Sequence, residues 1–286
     1  EEAQIFWNRA TLPPLFCNPS LLQSLEIPVV FFGAFKSEEL MIVWPISSES
    51  CEVSEPPPFS YYFGPFMSKP LSHQPPYKSF QTFGKGIEEL ISTLSGLYGA
   101  VRFSVSPEFF DLRPFDWWNY GLKGEPKFSH RVRYTARFDT RRSQTASDIL
   151  SSMRPDDKRK RVKKIINGER LRANQDGLVD LESYLAMYRN TILRTNGHLN
   201  KESLVSLEKM LTHTLVPTNE HCSIELINAV DELNGELVGF QLLIKSRSQH
   251  YAVAQAVSDA GRNLGASLFL NFQSLWGAVE SRAEFL

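Results

Sequence analysis

Cysteine is scarce in this chain. Its 286 residues hold three, Cys17, Cys51 and Cys222, far apart and in no CxxC spacing. That excludes a disulfide framework and reads as free thiols in a reducing compartment, so a cytoplasmic location is expected. Long apolar runs are missing too. The longest, Ile27–Phe35, is broken by Pro28 and Gly33 and is far short of the ~20 residues a membrane helix needs. No apolar signal segment follows a basic start, although a chain that begins Glu1-Glu2-Ala3 without Met leaves room for a removed leading segment. An excess of one charge sign is absent as well: 31 Lys and Arg face 32 Asp and Glu, a net −1. Taken globally, that argues against a strongly basic nucleic-acid binder. GxxxxGK[ST], HExxH and GxSxG do not occur. His213, His221 and Cys222 lie close in sequence but lack ligand spacing, and no metal is expected.

What is present is enough apolar material, 42%, for a sizeable core, and enough length for two domains. Composition is uneven. Residues 1–80 hold 12 of the 17 prolines, which reads as strands joined by stiff loops. Strands are expected at Ile27–Phe35 and Glu39–Ile46, then a Pro56-Pro57-Pro58 break, an aromatic stretch Phe59–Phe66 and a loop Ser68–Pro76. Leu90, Ile91, Leu94 and Leu97 predict a helix over Ile87–Tyr98, with strands at Ala100–Val105 and Arg131–Phe138 after it.

Charge then changes abruptly. Residues 131–172 carry 14 Lys and Arg against 5 Asp and Glu. The stretch Asp156–Ile166 reads as a helix, its acids in the first turn and its bases after them, as the helix dipole favours. Beyond it, apolar spacing predicts helices at Leu178–Thr195 and Lys201–Leu215. Strands follow at Ser223–Val230 and Glu236–Lys245, joined by Asn234-Gly235, a dipeptide suited to a type I′ turn because both residues accept positive φ. A strand at His250–Val257, a loop Asp259–Ser267 and a helix Gly265–Arg282 complete the order. Antiparallel strands with inserted helices predict an α/β (α+β) fold with mixed, largely antiparallel sheets flanked by helices. The expected division is a Pro/Phe-rich domain at 1–150, a basic helical junction at 151–175 and a second domain at 176–286.

Three segments can carry chemistry. Glycines 261 and 265 would let a backbone loop and the following helix N-terminus hold a pyrophosphate; the alternative is a turn and a helix start, with Gly265 serving packing. The segment Asp111–Tyr120 offers Trp117, Trp118 and Tyr120 as walls of a substrate cleft, with Asp111 and Arg113 as polar anchors; the other reading is a packed connection with a satisfied ion pair. Residues 154–172, with nine Lys and Arg and three acids, suit several phosphate contacts, or a solvated face. Arg133 and Tyr134 alternate, so one of them at most faces a given cleft.

Arg262-Asn263-Leu264-Gly265-Ala266-Ser267 resembles the acyl-CoA pyrophosphate motif Arg-x-x-Gly-x-(Gly/Ala) of the GNAT acetyltransferase superfamily, with Ser267 at the final small position. Asp111–Tyr120, then Arg133-Tyr134-Thr135-Ala136, then Lys158–Lys164 resemble FemAB-like members of that superfamily. The resemblance implies two tandem GNAT-like domains over most of the chain. It implies an N-acyltransferase that moves an acyl group from acetyl-CoA, or another acyl-CoA as co-substrate, to a small-molecule or peptide amine bound between the domains. The donor would lie along Gly261, Arg262, Asn263, Leu264, Gly265, Ala266 and Ser267. The acceptor would meet Asp111, Arg113, Trp117, Tyr120 and Arg133, with Tyr134, Gln241 and Tyr251 as catalytic candidates. Some Fem-type enzymes take an amino acid from charged tRNA, which makes aminoacyl-tRNA-dependent transfer the alternative. A non-catalytic binding module is the third. In the superfamily a further strand follows the motif helix, and this sequence stops at Glu284-Phe285-Leu286, where that strand would begin.

Overall fold

The computed structural model describes residues 1–10, 13–48, 50, 52–107, 111–133, 135–174, 180–214, 222–246 and 248–284. The chain divides into two compact units, Glu1–Tyr134 and Thr135–Leu286.

The first unit opens with helix α1 (Glu2–Arg9), which buries Phe6 and Trp7. Helix α2 (Pro19–Ser24) starts on a proline and is capped by the Asn18 side chain, which accepts from the Ser20 and Leu21 N–H groups. Both devices satisfy or remove amide donors that a helix start leaves unpaired. Strands β1 (Val29–Lys36) and β2 (Glu39–Ser47) form an antiparallel hairpin. β3 (Val53–Ser54) pairs in parallel with β5 (Ala100–Val101), and β4 (Phe66–Met67) adds to β2. Helix α3 is Lys69–Ser72, α4 Pro76–Leu97 and α5 Arg113–Asp116. β2 is buried along seven consecutive residues, Met41–Ser47, the pattern of a strand covered on both faces. Ile42, Trp44 and Ile46 pack with Phe83, Ile87, Leu90, Ile91 and Leu94 of α4 and with Phe115.

Several expectations change here. Helix α4 begins eleven residues before Ile87, inside what reads as loop, because proline suits a first helical turn. The strand expected at Ala100–Val105 shortens to its first two residues. The strand at Arg131–Phe138 does not form: residues 131–133 and 135–138 are irregular. Val132 is 74% exposed, so the alternation has no apolar face to bury and nothing to stabilise pairing.

The second unit contains α6 (Ala146–Ser152), α7 (Asp156–Asn167), β6 (Leu171–Asn174), α8 (Leu181–Arg194) and α9 (Lys201–His213). β7 (Cys222–Asp231), β8 (Glu236–Ser246), β9 (His250–Val257), α10 (Asp259–Leu264) and α11 (Ala266–Glu280) follow. The sheet runs β6-β7-β8-β9, antiparallel throughout; β6 has no counterpart in the sequence reading. Asn234-Gly235 does join β7 to β8, but within a four-residue turn between paired Asp231 and Glu236, and of its two residues only Gly235 has positive φ. Successive residues of β8 face opposite ways. Phe240 meets Tyr184 of α8, ring centroids 5.1 Å apart. Leu243, with Val238, Ile227 and Val257, packs on Phe269 and Leu270 of α11. The architecture is mixed α/β, with antiparallel sheets flanked by helices.

Candidate functional site

The segment after β9 is helical, where a loop is expected. Ser258 caps α10, its Oγ accepting from the Gly261 N–H at 3.0 Å. Gly265 then takes a left-handed conformation, φ 81°, and α11 starts at Ala266. Both glycines serve close packing. A Cβ on Gly261 would lie 2.0 Å from the Val238 carbonyl oxygen, and one on Gly265 would lie 2.5 Å from Ile165 Cδ1 of α7. Arg262 pairs with Asp259 at 3.1 Å, Asn263 is exposed, Leu264 is half-buried and Ala266 is fully buried. Only Ser267 of this group joins a polar arrangement that reaches the sheet.

That arrangement lies between β8, β9 and α11. Ser267 Oγ donates to Gln255 Oε1 at 3.0 Å, and Gln255 Nε2 donates to the Ser267 carbonyl at 3.2 Å. The same Nε2 donates to Asn271 Oδ1 at 3.3 Å, which also accepts from Gln241 Nε2 at 3.2 Å. Gln241 is 2% exposed, and its Oε1 is buried with no hydrogen-bond partner among the described residues. Ser267 and Asn271 stand four apart on α11, hence on one face, while Gln241 and Gln255 are register partners on β8 and β9. Sequence reasoning singled out Gln241 and Ser267 but missed Gln255 and Asn271. The available signal was an asparagine inside the apolar run Leu268–Phe272.

Tyr251 does not join this group: its hydroxyl donates to Gln249 Oε1 at 2.6 Å. Beside it His250 is 3% exposed, and its Nε2 lies 3.3 Å from Ser281 Oγ. Burial, then the Lys245 charge, pushes the His250 pKa down to about 4, which keeps the ring neutral at physiological pH. Burial also raises the Cys17 and Cys222 thiols, to about 12 and about 11. Neither is a nucleophile at neutral pH.

In the first unit the polar anchors pair with each other. Arg113 Nε and Nη2 donate to the two oxygens of Asp111 at 2.9 and 2.6 Å. The Arg113 hydrogen bond holds the Asp111 carboxyl below its usual range, so Asp111 orients Arg113 instead of moving protons. The guanidinium carbon sits 3.7 Å from the Phe80 ring centroid and 5.8 Å from that of Trp117. Trp117, Tyr120 and Arg133 are exposed, whereas Trp118 packs against the core. Tyr134 lies outside the described residues, as do Cys51 and His221.

The basic stretch forms α7, which buries Val162 against Ile149 and Phe272. Lys158, Lys160, Arg161, Lys163 and Lys164 are exposed and have no ion-pair partner among the described residues, while Arg159 pairs with Asp156 at 3.2 Å. No helix among the described residues is long and apolar enough to cross a membrane.

Among solved structures, FemX superposes with a TM-score of 0.65 over 99% of this chain and 85% of its own, at 10% identity. The chain has a FemX-like fold. A second neighbour is the C-terminal DUF2156 domain of a protein assigned as a lysylphosphatidylglycerol synthetase from Agrobacterium fabrum. It has a TM-score of 0.51 and 11% identity, and the match covers 98% of this chain and 73% of that one. At these identities the likeness is one of fold. No protein-family profile and no curated protein matches the sequence.

Proposed function

We propose that this protein is an aminoacyltransferase that moves an aminoacyl group from an RNA-borne ester to an amine. The observation that carries the RNA-borne donor is α7: five exposed cations without ion-pair partners among the described residues, on a helix whose opposite side is packed into the core. Such a face neutralises phosphates at little reorganisation cost. The FemX-like fold and the sequence resemblance to Fem-type enzymes agree with this reading. In the reaction the amine lone pair attacks the ester carbonyl carbon. A C–N bond forms, the ester C–O bond breaks, and the proton lost by the amine ends on the leaving hydroxyl. Gln241 is the candidate for orienting that amine.

A CoA thioester donor is the second reading. In its favour, α11 is 15 residues long and no side chain among the described residues caps its start. Against it, both glycines of the motif are packed on the protein's own atoms. Fluorescence anisotropy with charged and uncharged tRNA, on the wild-type chain and on K160E/K163E/K164E, tests the first reading. Loss of binding in the triple variant is expected, and unchanged binding overturns it. Calorimetric titration with acetyl-CoA tests the second, which falls if no heat is seen at millimolar donor.

A further inference from the structure

Gln241 lies in the middle of β8 among buried apolar neighbours, Val238, Phe240, Leu242, Leu243 and Ile244, and it buries an acceptor oxygen that no donor among the described residues satisfies. An amide can be turned end for end with little change in shape, so its orientation needs an independent anchor. Here the anchor is the Ser267 main chain. A carbonyl oxygen only accepts, so the Gln255 group 3.2 Å from it is the NH2. That NH2 also faces Asn271, which must therefore present its oxygen, at 3.3 Å. With the oxygen of Asn271 facing Gln241 at 3.2 Å, Gln241 must in turn present its own NH2. Turning Gln241 over would set two oxygens against each other. The free carbonyl is thus a consequence of the whole chain of amides, and no donor among the described residues reaches it.

A buried unpaired acceptor costs free energy that an N–H recovers. A neutral carbonyl also differs from a carboxylate in what it holds. A carboxylate favours the protonated ammonium, which has no lone pair, whereas an amide oxygen accepts one N–H and leaves a neutral amine able to attack. The chain reaches solvent at Asn271, which is exposed, and at half-buried Gln255 and Ser267.

We infer that Gln241 Oε1 is the binding group for a primary amine, accepting its N–H while the lone pair stays free. This rests on the transfer reading above and names the contact made by the amine. That amine belongs either to the acceptor, whose lone pair then attacks, or to the α-amino group of the aminoacyl donor, which the same N–H contact would hold in place.

The side-chain NH2 resonances of Gln241 in the ¹⁵N-labelled full chain, assigned by their disappearance in the near-isosteric Q241E, report on this contact directly. L-alaninamide supplies an α-amine, Nα-acetyl-L-lysinamide supplies only a side-chain amine, and N-acetyl-L-alaninamide supplies none. A saturable shift of the Gln241 and Asn271 resonances with an amine probe, and none with the third compound, is expected. A shift with alaninamide alone assigns the donor's α-amine, one with the lysine derivative alone assigns the acceptor, and shifts with both support the shared amine site. No shift with either amine, or an equal shift with N-acetyl-L-alaninamide, overturns the inference. RNA binding is measured separately, so failure here leaves the α7 reading standing, and the reverse.

Discussion

At the scale of single residues, burial decides which polar groups titrate. His250 is neutral in the folded chain, with its pKa pushed down to about 4 from 6.5. Between those values the unfolded chain binds the proton and the folded one does not, so stability is complete above about pH 6.5 and falls as pH drops toward 4. The loss attributable to this ring is up to about 3 kcal/mol over that window. Urea melts of the wild type and His250→Gln from pH 7 to 4 check it, and a flatter profile for the variant is expected. Gly261 offers a steric counterpart. A methyl there meets the Val238 carbonyl oxygen at 2.0 Å, which is backbone and cannot swing aside. Gly261→Ala should therefore cost about 2 to 3 kcal/mol, measured by denaturant midpoint at constant m. Position 261 reads from sequence either as a place where a ligand's phosphate approaches the backbone or as part of a turn before a helix start. What approaches is another strand of the same chain, and residue identity alone does not distinguish the two.

At the scale of elements, α10, Gly265 and α11 form one continuous device. The left-handed Gly265 ends the first helix and starts the second, under Ile165 of α7. Alanine there is opposed twice, by its positive φ and by the Ile165 side chain. Gly265→Ala is expected to lose roughly 1 to 3 kcal/mol. Adding Ile165→Ala should not restore the wild-type value, because removing the clash leaves the backbone strain; thermal melts of the single and double variants read this out. Legibility followed length and period. Helices α8, α9 and α11 and the β7–β8–β9 meander stand out as long periodic runs with a turn dipeptide between strands. Short elements do not. Helix α10 is six residues long, too short for a period to show, and β6 is four residues inside a charged stretch. Ladder partners specify such a strand more than its own residues do.

At the scale of the whole molecule, a net charge of −1 conceals its distribution. The excess of bases in residues 131–172 includes α7, whose five cations without partners among the described residues face solvent. If three of them neutralise phosphates, the salt dependence of RNA affinity becomes shallower by roughly 2 to 3 in the slope of log K against log salt when they are reversed. The K160E/K163E/K164E chain should also bind roughly tenfold or more weakly at low salt, and anisotropy titrations between about 50 and 200 mM salt measure both. Circular dichroism should show that the triple variant keeps its fold, because Val162, Ile165 and Ile166, which pack α7, are unchanged.

The sequence by itself determined the fold class, the order of the larger elements and the basic helix, because each rests on spacing and charge that neighbouring residues carry. Tertiary structure alone decided that Gly261 and Gly265 touch protein. It also decided that Asp111 and Arg113 satisfy each other beside Phe80, and that Gln241, Gln255, Asn271 and Ser267 meet in one directed chain of amides. Those four residues come from two strands and a helix, and only the register of β8 on β9 with α11 laid over them brings their polar atoms within hydrogen-bonding distance. Periodicity reports which face a residue occupies; which partner waits there depends on the packing of elements distant in sequence.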